Sequence, residues 1–301
     1  LKKTDTPYQP LRTSVDLSGD AVKIHRLPPP PDLNPYIIEF WEYEVDPSDD
    51  YVPVQVFPSG CVLLRFNVTP HGVESVLYGP SLNNDMKGLF FHEWVIFGAA
   101  VRPDMAYHLL GLSLHELRDL RINMECFWPN AVRQTSQRIG ETGSFAERAE
   151  VFAQFLRKVF RQDIRPSNDF LSVFHEITRN AQHAEDIGLI AKGHGLNGRS
   201  LRRHFTRYLG VGPKQMDRLV RVQQTMQQIR HQPRQNLASM CAGYGFSDQA
   251  HFSREFRSLT GLSPKRFASL VGHMHDKTLG LWSGMSTDYR HQSPPKILRF
   301  E

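Results

Sequence analysis

Cysteine is scarce in this sequence. The chain of 301 residues has three, Cys61, Cys126 and Cys241. They are far apart and odd in number, which argues against a disulfide framework and against a closely spaced zinc motif. None stands in a setting that would activate a thiol, so they read as reduced thiols of a cytosolic protein. Long apolar runs are also missing. No stretch of about 18 apolar residues occurs, so no membrane span is expected. The N-terminal LKKTDTPYQP has no apolar segment of its own, so no secretory signal is expected. The histidines of the first half, His25, His71, His92, His108 and His115, lack metal-ligand spacing. Asp104 and His108 have no nucleophile or third group beside them. No cofactor, metal site or catalysis is therefore expected.

Acidic residues are thin in one segment only. Net charge is +5. Residues 1–166 hold 17 Lys+Arg against 21 Asp+Glu, residues 167–270 hold 15 against 7, and residues 271–301 hold 4 against 3. A basic excess confined to one segment is what contact with a polyanion requires. The count does not separate DNA from RNA or anionic lipid.

The texture along the chain changes once. To about Val101 it reads as mainly β. VPVQVF and CVLLRFNV, separated by Pro58-Ser59-Gly60, predict a hairpin, and Glu93–Val101 predicts another strand. Four prolines, Pro28 to Pro31, exclude regular structure there. From Ser113 the pattern turns helical: Ser113 with Glu116 forms a capping-box pattern, and Ser144 with Glu147 forms another ahead of Val151, Phe152, Phe155, Leu156 and Val159. The polar stretch 161–168, with Pro166, marks a domain boundary. The expected layout is a β-rich domain with a helical end over 1–166, an all-helical domain over 167–271, and an aperiodic tail over 272–301. The aromatics Phe40, Trp41, Tyr43, Phe57, Phe66, Phe90, Phe91, Trp94 and Phe97 read as core, with a ligand pocket as the alternative.

Two parts of the helical segment repeat at an offset of about 50 residues. Ile187, Ile190, Ala191, Gly195 and Leu196 correspond to Leu237, Met240, Cys241, Gly245 and Phe246. After one extra residue, Leu201, Arg203, Phe205, Gly210, Pro213 and Lys214 correspond to Phe252, Arg254, Phe256, Gly261, Pro264 and Lys265. In each copy a small residue (Ala191, Cys241) allows close helix crossing, a glycine (Gly195, Gly245) ends the first helix with positive φ, and the second helix buries residues at i and i+4. This is the sequence form of a helix-turn-helix, whose second helix enters the DNA major groove. The outward positions are polar in both copies. Arg199, Arg202 and Arg203 are free of the apolar stripe in the first, and Gln249, Ala250, His251 and Arg254 in the second. Arginine pairs with guanine and glutamine with adenine, while Thr206, Arg207 and Lys265 are placed for phosphate contact. The intervening helix, Pro213–Arg230, would span roughly 27 Å, comparable to the roughly 34 Å between successive major grooves.

Residues Ile187–Ala268 resemble the DNA-binding domain of the AraC-type regulator family, most specifically in GFSDQAHFSREFRSLTGLSPKRF, Gly245–Phe267. The first unit departs from the family pattern at Asn197-Gly198, where a serine followed by a helix former is usual. Carried across, the family's base-facing positions fall on Arg199, Arg202, Arg203, Gln249, Ala250, His251 and Arg254. The N-terminal part resembles a sensor-like β-rich domain of one branch of that family, through Phe57-Pro58-Ser59-Gly60, Phe97–Pro103 and Leu117-Arg118-Asp119-Leu120. Ser59 stands there where Asp is usual, and Asp104 where Gly is usual. The resemblance implies an α+β chain, with a cupin-like barrel or sandwich carrying appended helices and then a seven-helix DNA-binding domain with two helix-turn-helix units. It implies a bacterial, cytoplasmic transcription regulator of double-stranded DNA, more an activator than a repressor, with RNA polymerase as partner and a small-molecule effector at the N-terminal domain. Two alternatives stay open. One is a non-sensing domain that only dimerises, for which the apolar face of Ser144–Phe160 is the candidate surface. The other is an enzyme with a DNA-binding appendage.

Overall fold

A computed structural model describes residues 14–16, 22–45, 51–82, 87–160, 168–180, 187–233 and 235–278. The N-terminal part is two antiparallel sheets with helices, and the C-terminal part is helical, an α+β arrangement. The smaller sheet has the order β1-β4-β7, with β1 at Ser14–Asp16, β4 at Tyr51–Val56 and β7 at Lys87–Phe91. The larger has the order β2-β3-β8-β5-β6-β9. Its strands are β2 (Val22–Leu27), β3 (Ile37–Val45), β5 (Val62–Thr69), β6 (Gly72–Tyr78), β8 (Val95–Val101) and β9 (Arg121–Asn123). Three helices accompany them: α1 (Pro103–Leu110), α2 (Pro129–Gly140) and α3 (Phe145–Val159). Among the described residues, seven more follow: α4 (Asn168–Asn180), α5 (Ile187–Gly193), α6 (Gly198–Leu209), α7 (Pro213–His231), α8 (Leu237–Gly243), α9 (Gln249–Thr260) and α10 (Pro264–Thr278). None of the described helices is long and apolar enough to cross a membrane.

Alternation sorts the larger sheet into two faces. Val62, Leu64 and Phe66 of β5 and Phe97, Ala99 and Val101 of β8 are buried on one face, in the register Leu64↔Ala99 and Phe66↔Phe97. Against them lies α3, whose start is fixed by the capping box of Ser144 and Glu147. Phe152 packs edge-on against Phe66 at 5.2 Å and near Phe97 at 5.3 Å between ring centroids. Arg148 of α3 grips Glu42 of β3 with both nitrogens, at 2.7 and 2.9 Å. The apolar stripe of α3 is therefore consumed inside the chain, which removes the argument that it forms a dimer surface. On the opposite face, Trp41, Val45 and Ile96 pack on Val52 and Phe90 of the smaller sheet.

Three local expectations fail for non-local reasons. VPVQVF and CVLLRFNV form no hairpin: β4 pairs with β1 and β7, and β5 with β6 and β8, so the chain changes sheets at Pro58-Ser59-Gly60. That connection is drawn into the helical core, where Phe57 meets Phe267 edge-on at 5.6 Å and the Gln223 amide donates to the Pro58 carbonyl. Ser113–Leu120 is a series of turns rather than a helix. The Leu114 amide is captured by the Arg207 carbonyl at 2.9 Å, and Asp119 adopts a positive φ of 59°. The regular helix lies earlier, at α1, begun by Pro103 in its first turn and ended by left-handed Gly111. At the C-terminus the helix continues through Thr278, taking in the first seven residues of the expected tail; residues 279–301 of that tail, and 161–167 at the expected domain boundary, lie outside the described residues.

The β region and the helical region meet over buried polar contacts as well. Asp104 of α1 is fully buried between Arg102, at 3.1 Å, and His175 of α4, at 3.0 Å. Burial alone would push its carboxyl up, but the Arg102 guanidinium and the His175 imidazole outweigh it and hold it below the ordinary value of 3.8. A carboxylate depressed in the fold contributes stability that is present above its ordinary value and lost as pH falls through the depressed one. Asp104→Asn should therefore cost about 3–5 kcal/mol near neutrality, because it strands Arg102 in the interior. Urea unfolding of both chains checks this: the gap should narrow below about pH 4, and a gap independent of pH would show that the charge is not what matters.

Candidate nucleic-acid interface

The two helical repeats are built alike at backbone level. In the first, α5 buries Ile190 and Ala191, and the Leu196 amide returns to the Ala191 carbonyl at 2.9 Å. In the second, the Phe246 amide returns to the Cys241 carbonyl at 3.2 Å. Between them Gly195 and Gly245 take φ of +73° and +68°, as each turn requires. The second helices are capped at both ends. Asn197 accepts from the Ser200 amide at 2.9 Å at the start of α6, and Gly210 ends it in the left-handed region. Asp248 accepts from the His251 amide at 2.6 Å at the start of α9, and Gly261 ends it in the same way. The His251 amide also holds the Asp248 carboxyl below the usual carboxylate range. Asn197 is thus the cap of α6 despite departing from the family pattern.

Each of these helices buries one stripe. Leu201, Phe205 and Leu209 of α6 and Phe252, Phe256 and Leu259 of α9 enter a common core. Phe246, Phe252, Phe256 and Phe267 form a chain of ring contacts at 5.0, 5.6 and 5.5 Å. The complementary face is polar. Arg199, Arg202 and Arg203 are exposed on α6, and Gln249, Ala250 and Arg254 on α9. His251 is half-buried, its ring edge-on to Phe246 at 5.7 Å and its Nδ1 3.1 Å from the Ser247 hydroxyl. Lys265 is exposed on α10 and Thr206 is half-buried.

Arg207 is placed differently from its neighbours. Its guanidinium lies 5.1 Å over the Tyr107 ring, and one nitrogen donates to the Tyr107 hydroxyl at 2.6 Å. It faces α1 rather than joining Arg199, Arg202 and Arg203. The density of positive charge on α6 also registers at His204, whose imidazole is pushed down by burial and then by Arg203 and Arg207.

Sequence reasoning passed over the arginines that fix the second unit. Arg221 of α7 donates to the Gly245 carbonyl at 3.0 Å, lies 5.2 Å over the Phe246 ring, and is itself held by Asp217 at 3.0 Å. Arg218 pairs with Glu255 of α9. The Asp217 to Arg221 spacing of four was the available signal. The connecting helix α7 has 19 residues, a length of roughly 28 Å at the standard helical rise. Among the described residues, no group of three or more His, Cys, Asp or Glu is arranged to hold a metal ion.

Residues 190–269 match a family described as a helix-turn-helix domain. Residues 25–123 match a family described as a domain of unknown function, DUF6597. No curated protein matches the sequence significantly. Among solved structures, a transcriptional regulator with an AraC-type DNA-binding domain from Chromobacterium violaceum is 22% identical, with 34% of this chain and 91% of that chain covered and a TM-score of 0.32. ToxT from Vibrio cholerae O395 is 12% identical, with 83% of this chain and 97% of that chain covered and a TM-score of 0.40. ToxT from Vibrio cholerae strain SCE256 bound to an unsaturated fatty acid is 15% identical, with 83% and 94% covered and a TM-score of 0.37. At these scores the structural likenesses carry no argument of their own; the weight falls on the helix-turn-helix match and on the element order.

The caps give a direct test of the repeat. Asn197→Ala should cost about 1 kcal/mol and Asn197→Gly only a few tenths. Urea midpoints of the full chain measure both, and equal losses would mean that the Asn197 side chain does not cap α6.

Proposed function

Starting from a C-terminal region that belongs to the AraC-type helix-turn-helix family, we propose that the chain is a sequence-specific regulator of transcription that reads duplex DNA with α6 and α9. The observation that carries this reading is the pair of capped helices, each burying one apolar stripe and leaving a polar one outward, in the one segment with a large basic excess. Base reading is assigned to Arg199, Arg202, Arg203, Gln249, Ala250, His251 and Arg254. Phosphate contact is assigned to Thr206, Arg207 and Lys265. We keep the division into a β-rich region over 1–166 and a DNA-binding region over 167–271 as part of the proposal. We assign the β-rich region to sensing a small molecule and the regulator to activation through RNA polymerase. A homodimer remains a further proposal, without support from α3. The enzyme alternative is set aside because the family match is to a helix-turn-helix domain.

The reading is tested by selecting bound duplexes from a randomised library with the full chain. Enrichment of one motif, read in two segments about one helical turn apart, is the expected result. A basic surface without selectivity would give enrichment of no motif. Within that motif, Arg254→Ala should cost about 1–3 kcal/mol and relax preference at one base position. An unchanged motif would remove Arg254 from the reading face.

Arg207 supports a second, separable measurement. Arg207→Ala should weaken binding to all sequences about equally and shallow the salt dependence by about one phosphate. Tyr107→Phe, which releases the guanidinium from its hydroxyl partner, should strengthen binding by about 1 kcal/mol, roughly fivefold. Two neutral variants would confine Arg207 to the junction with α1.

A further inference from the structure

The β-rich region pairs its buried charges with care. Glu42 is gripped by Arg148 and Asp104 by Arg102 and His175, and the half-buried Asp32 is held by Arg157 at 2.7 and 3.1 Å. Arg65 breaks the pattern. It stands in β5 on the face of the larger sheet turned away from α3, between Gly98 of β8 and Val76 of β6. Its side chain is half-buried, and its Nε is buried without a hydrogen-bond partner. No carboxylate among the described residues pairs with it. What the guanidinium has is an aromatic ring: it lies 4.7 Å over Tyr78. A second guanidinium, Arg121 of β9, lies 5.4 Å over the same ring. Glu74, the acid in its electrostatic surroundings, is engaged by the Asn67 amide at 3.3 Å.

A partly desolvated cation with no ion-pair partner in contact is costly, and a second cation nearby adds repulsion that the more distant Glu74 only partly offsets. Such a cost persists where something intermittently offsets it. The surroundings indicate what. Gly98, directly opposite Arg65, has no side chain, and the Trp41 ring closes over it: a Cβ there would lie 2.7 Å from the Trp41 ring. Asn67 adds a buried Oδ1 that has no partner. Two guanidinium groups beside the rings of Tyr78 and Trp41 on one sheet face match an oxyanion carried on a small organic molecule, and the unpartnered Asn67 Oδ1 would accept from a hydroxyl or N–H of that molecule rather than meet the oxyanion itself.

We propose that Arg65 and Arg121 bind the oxyanion of a small organic acid, a carboxylate or a phosphate, on the sheet face opposite α3. The proposal rests on the reading of the β-rich region as a sensor and names the chemistry of its ligand. Arg65 supplies the more buried, fork-shaped half of the site, and Arg121 the exposed half at the sheet edge.

The test uses the full chain, titrated calorimetrically with benzoate, with inorganic phosphate, and with benzamide as the uncharged counterpart of benzoate. Saturable binding of one anion is expected, with none of benzamide; the arm that binds identifies carboxylate or phosphate as the source. Arg65→Met should weaken that binding about tenfold or more, and Arg121→Met, at an exposed position that does not threaten folding, by a smaller factor. Arg65 also makes a prediction that needs no ligand. Arg65→Met should raise the melting temperature of the ligand-free chain by about 2–4 °C, because it removes a partly desolvated charge that has no ion-pair partner in contact. Saturable binding of neither anion, equal binding by Arg65→Met, or a lower melting temperature for the ligand-free variant would each overturn the proposal, the last by showing that Arg65 is structural. The DNA selection described above is independent of these titrations. A chain that selects a motif but binds no anion loses this inference alone, and a chain that binds an anion but selects no motif loses the regulator reading.

Discussion

The arrangement of the two regions depends on the close approach of the end of α6 to the turn at 111–117. Gly210 makes it possible. Its left-handed φ of 74° ends the helix, and a Cβ at that position would lie 2.7 Å from both the Leu114 carbonyl and the Pro80 ring. No other residue fits there without moving backbone. Around this point the Arg207 carbonyl receives the Leu114 amide, the Arg207 guanidinium covers Tyr107, and Tyr208 meets Tyr107 at 4.7 Å. The first reading helix is thus held at its carboxyl end by hydrogen bonds from the β-rich region, while its amino end and outward arginines stay free. The second unit is tied more indirectly, through Phe57 on Phe267 and through the packing of Gly60 on Leu219 of α7. α6 is anchored directly, whereas α9 is reached through α7 and α10, where the Gln223 amide on the Pro58 carbonyl adds one directional contact to the apolar ones.

The units differ electrostatically for a reason already present at their caps. Asn197 caps α6 without charge, so nothing at its start offsets Arg199, Arg202 and Arg203. Asp248 caps α9 with a carboxylate whose charge the His251 amide stabilises, beside a reading face that has one arginine, Arg254. A negative group at a helix N-terminus favours the helix, but it subtracts from the positive field that a phosphate backbone encounters. On the proposed reading of DNA, α6 is therefore the stronger contributor to salt-dependent affinity. The mixed face of α9, with Gln249 and Arg254, has side chains that can separate adenine from guanine.

What the sequence disclosed follows the range of the interactions involved. The capping box of Ser144 and Glu147, the stripes of α6 and α9 and the positive φ of Gly195 and Gly245 are set within four or five residues, and each was legible. The same local signals misled at Ser113, where a capping pattern lost to a hydrogen bond from the Leu114 amide to the Arg207 carbonyl, 93 positions later in the chain and legible only in three dimensions. Pro58-Ser59-Gly60 reads as a hairpin turn because nothing nearby reveals that Phe57 is claimed by the helical core. Asp104 illustrates the same limit: its position invited a search for a catalytic partner, and besides the adjacent Arg102 its partner is His175, 71 residues away, in an ion pair at the junction. Arg65 was invisible for a simpler reason. An arginine in an alternating strand reads as solvent-facing until the second sheet and Trp41 are placed over that face.

The position of Tyr78 bears on how the two regions are joined. The ring beneath Arg65 and Arg121 is followed at once by Gly79 and Pro80, and Pro80 is the residue that presses on Gly210 at the end of α6. The charged face of the sheet and the anchored end of a reading helix are thus two residues apart along the chain. Adjacency does not make a switch; coupling needs an element with two arrangements that both sites bias. The sheet is a poor choice for that element, because β5 is paired on both sides along its length. The segment 113–120 is a better one. Its backbone bonds are single turns, the Arg118 amide to His115 carbonyl distance is 3.4 Å, and Asp119 holds a positive φ that a residue with a side chain adopts at a cost. It also touches both sides, through the Asp119 amide on the Pro80 carbonyl and the Leu114 amide on Arg207. Regulated binding is commonly a matter of about 1–3 kcal/mol, and one charge-assisted hydrogen bond such as that from Arg207 to Tyr107 lies within that range. The compliant part of the junction is therefore the turn, and the energy at stake there matches what a regulator has to move.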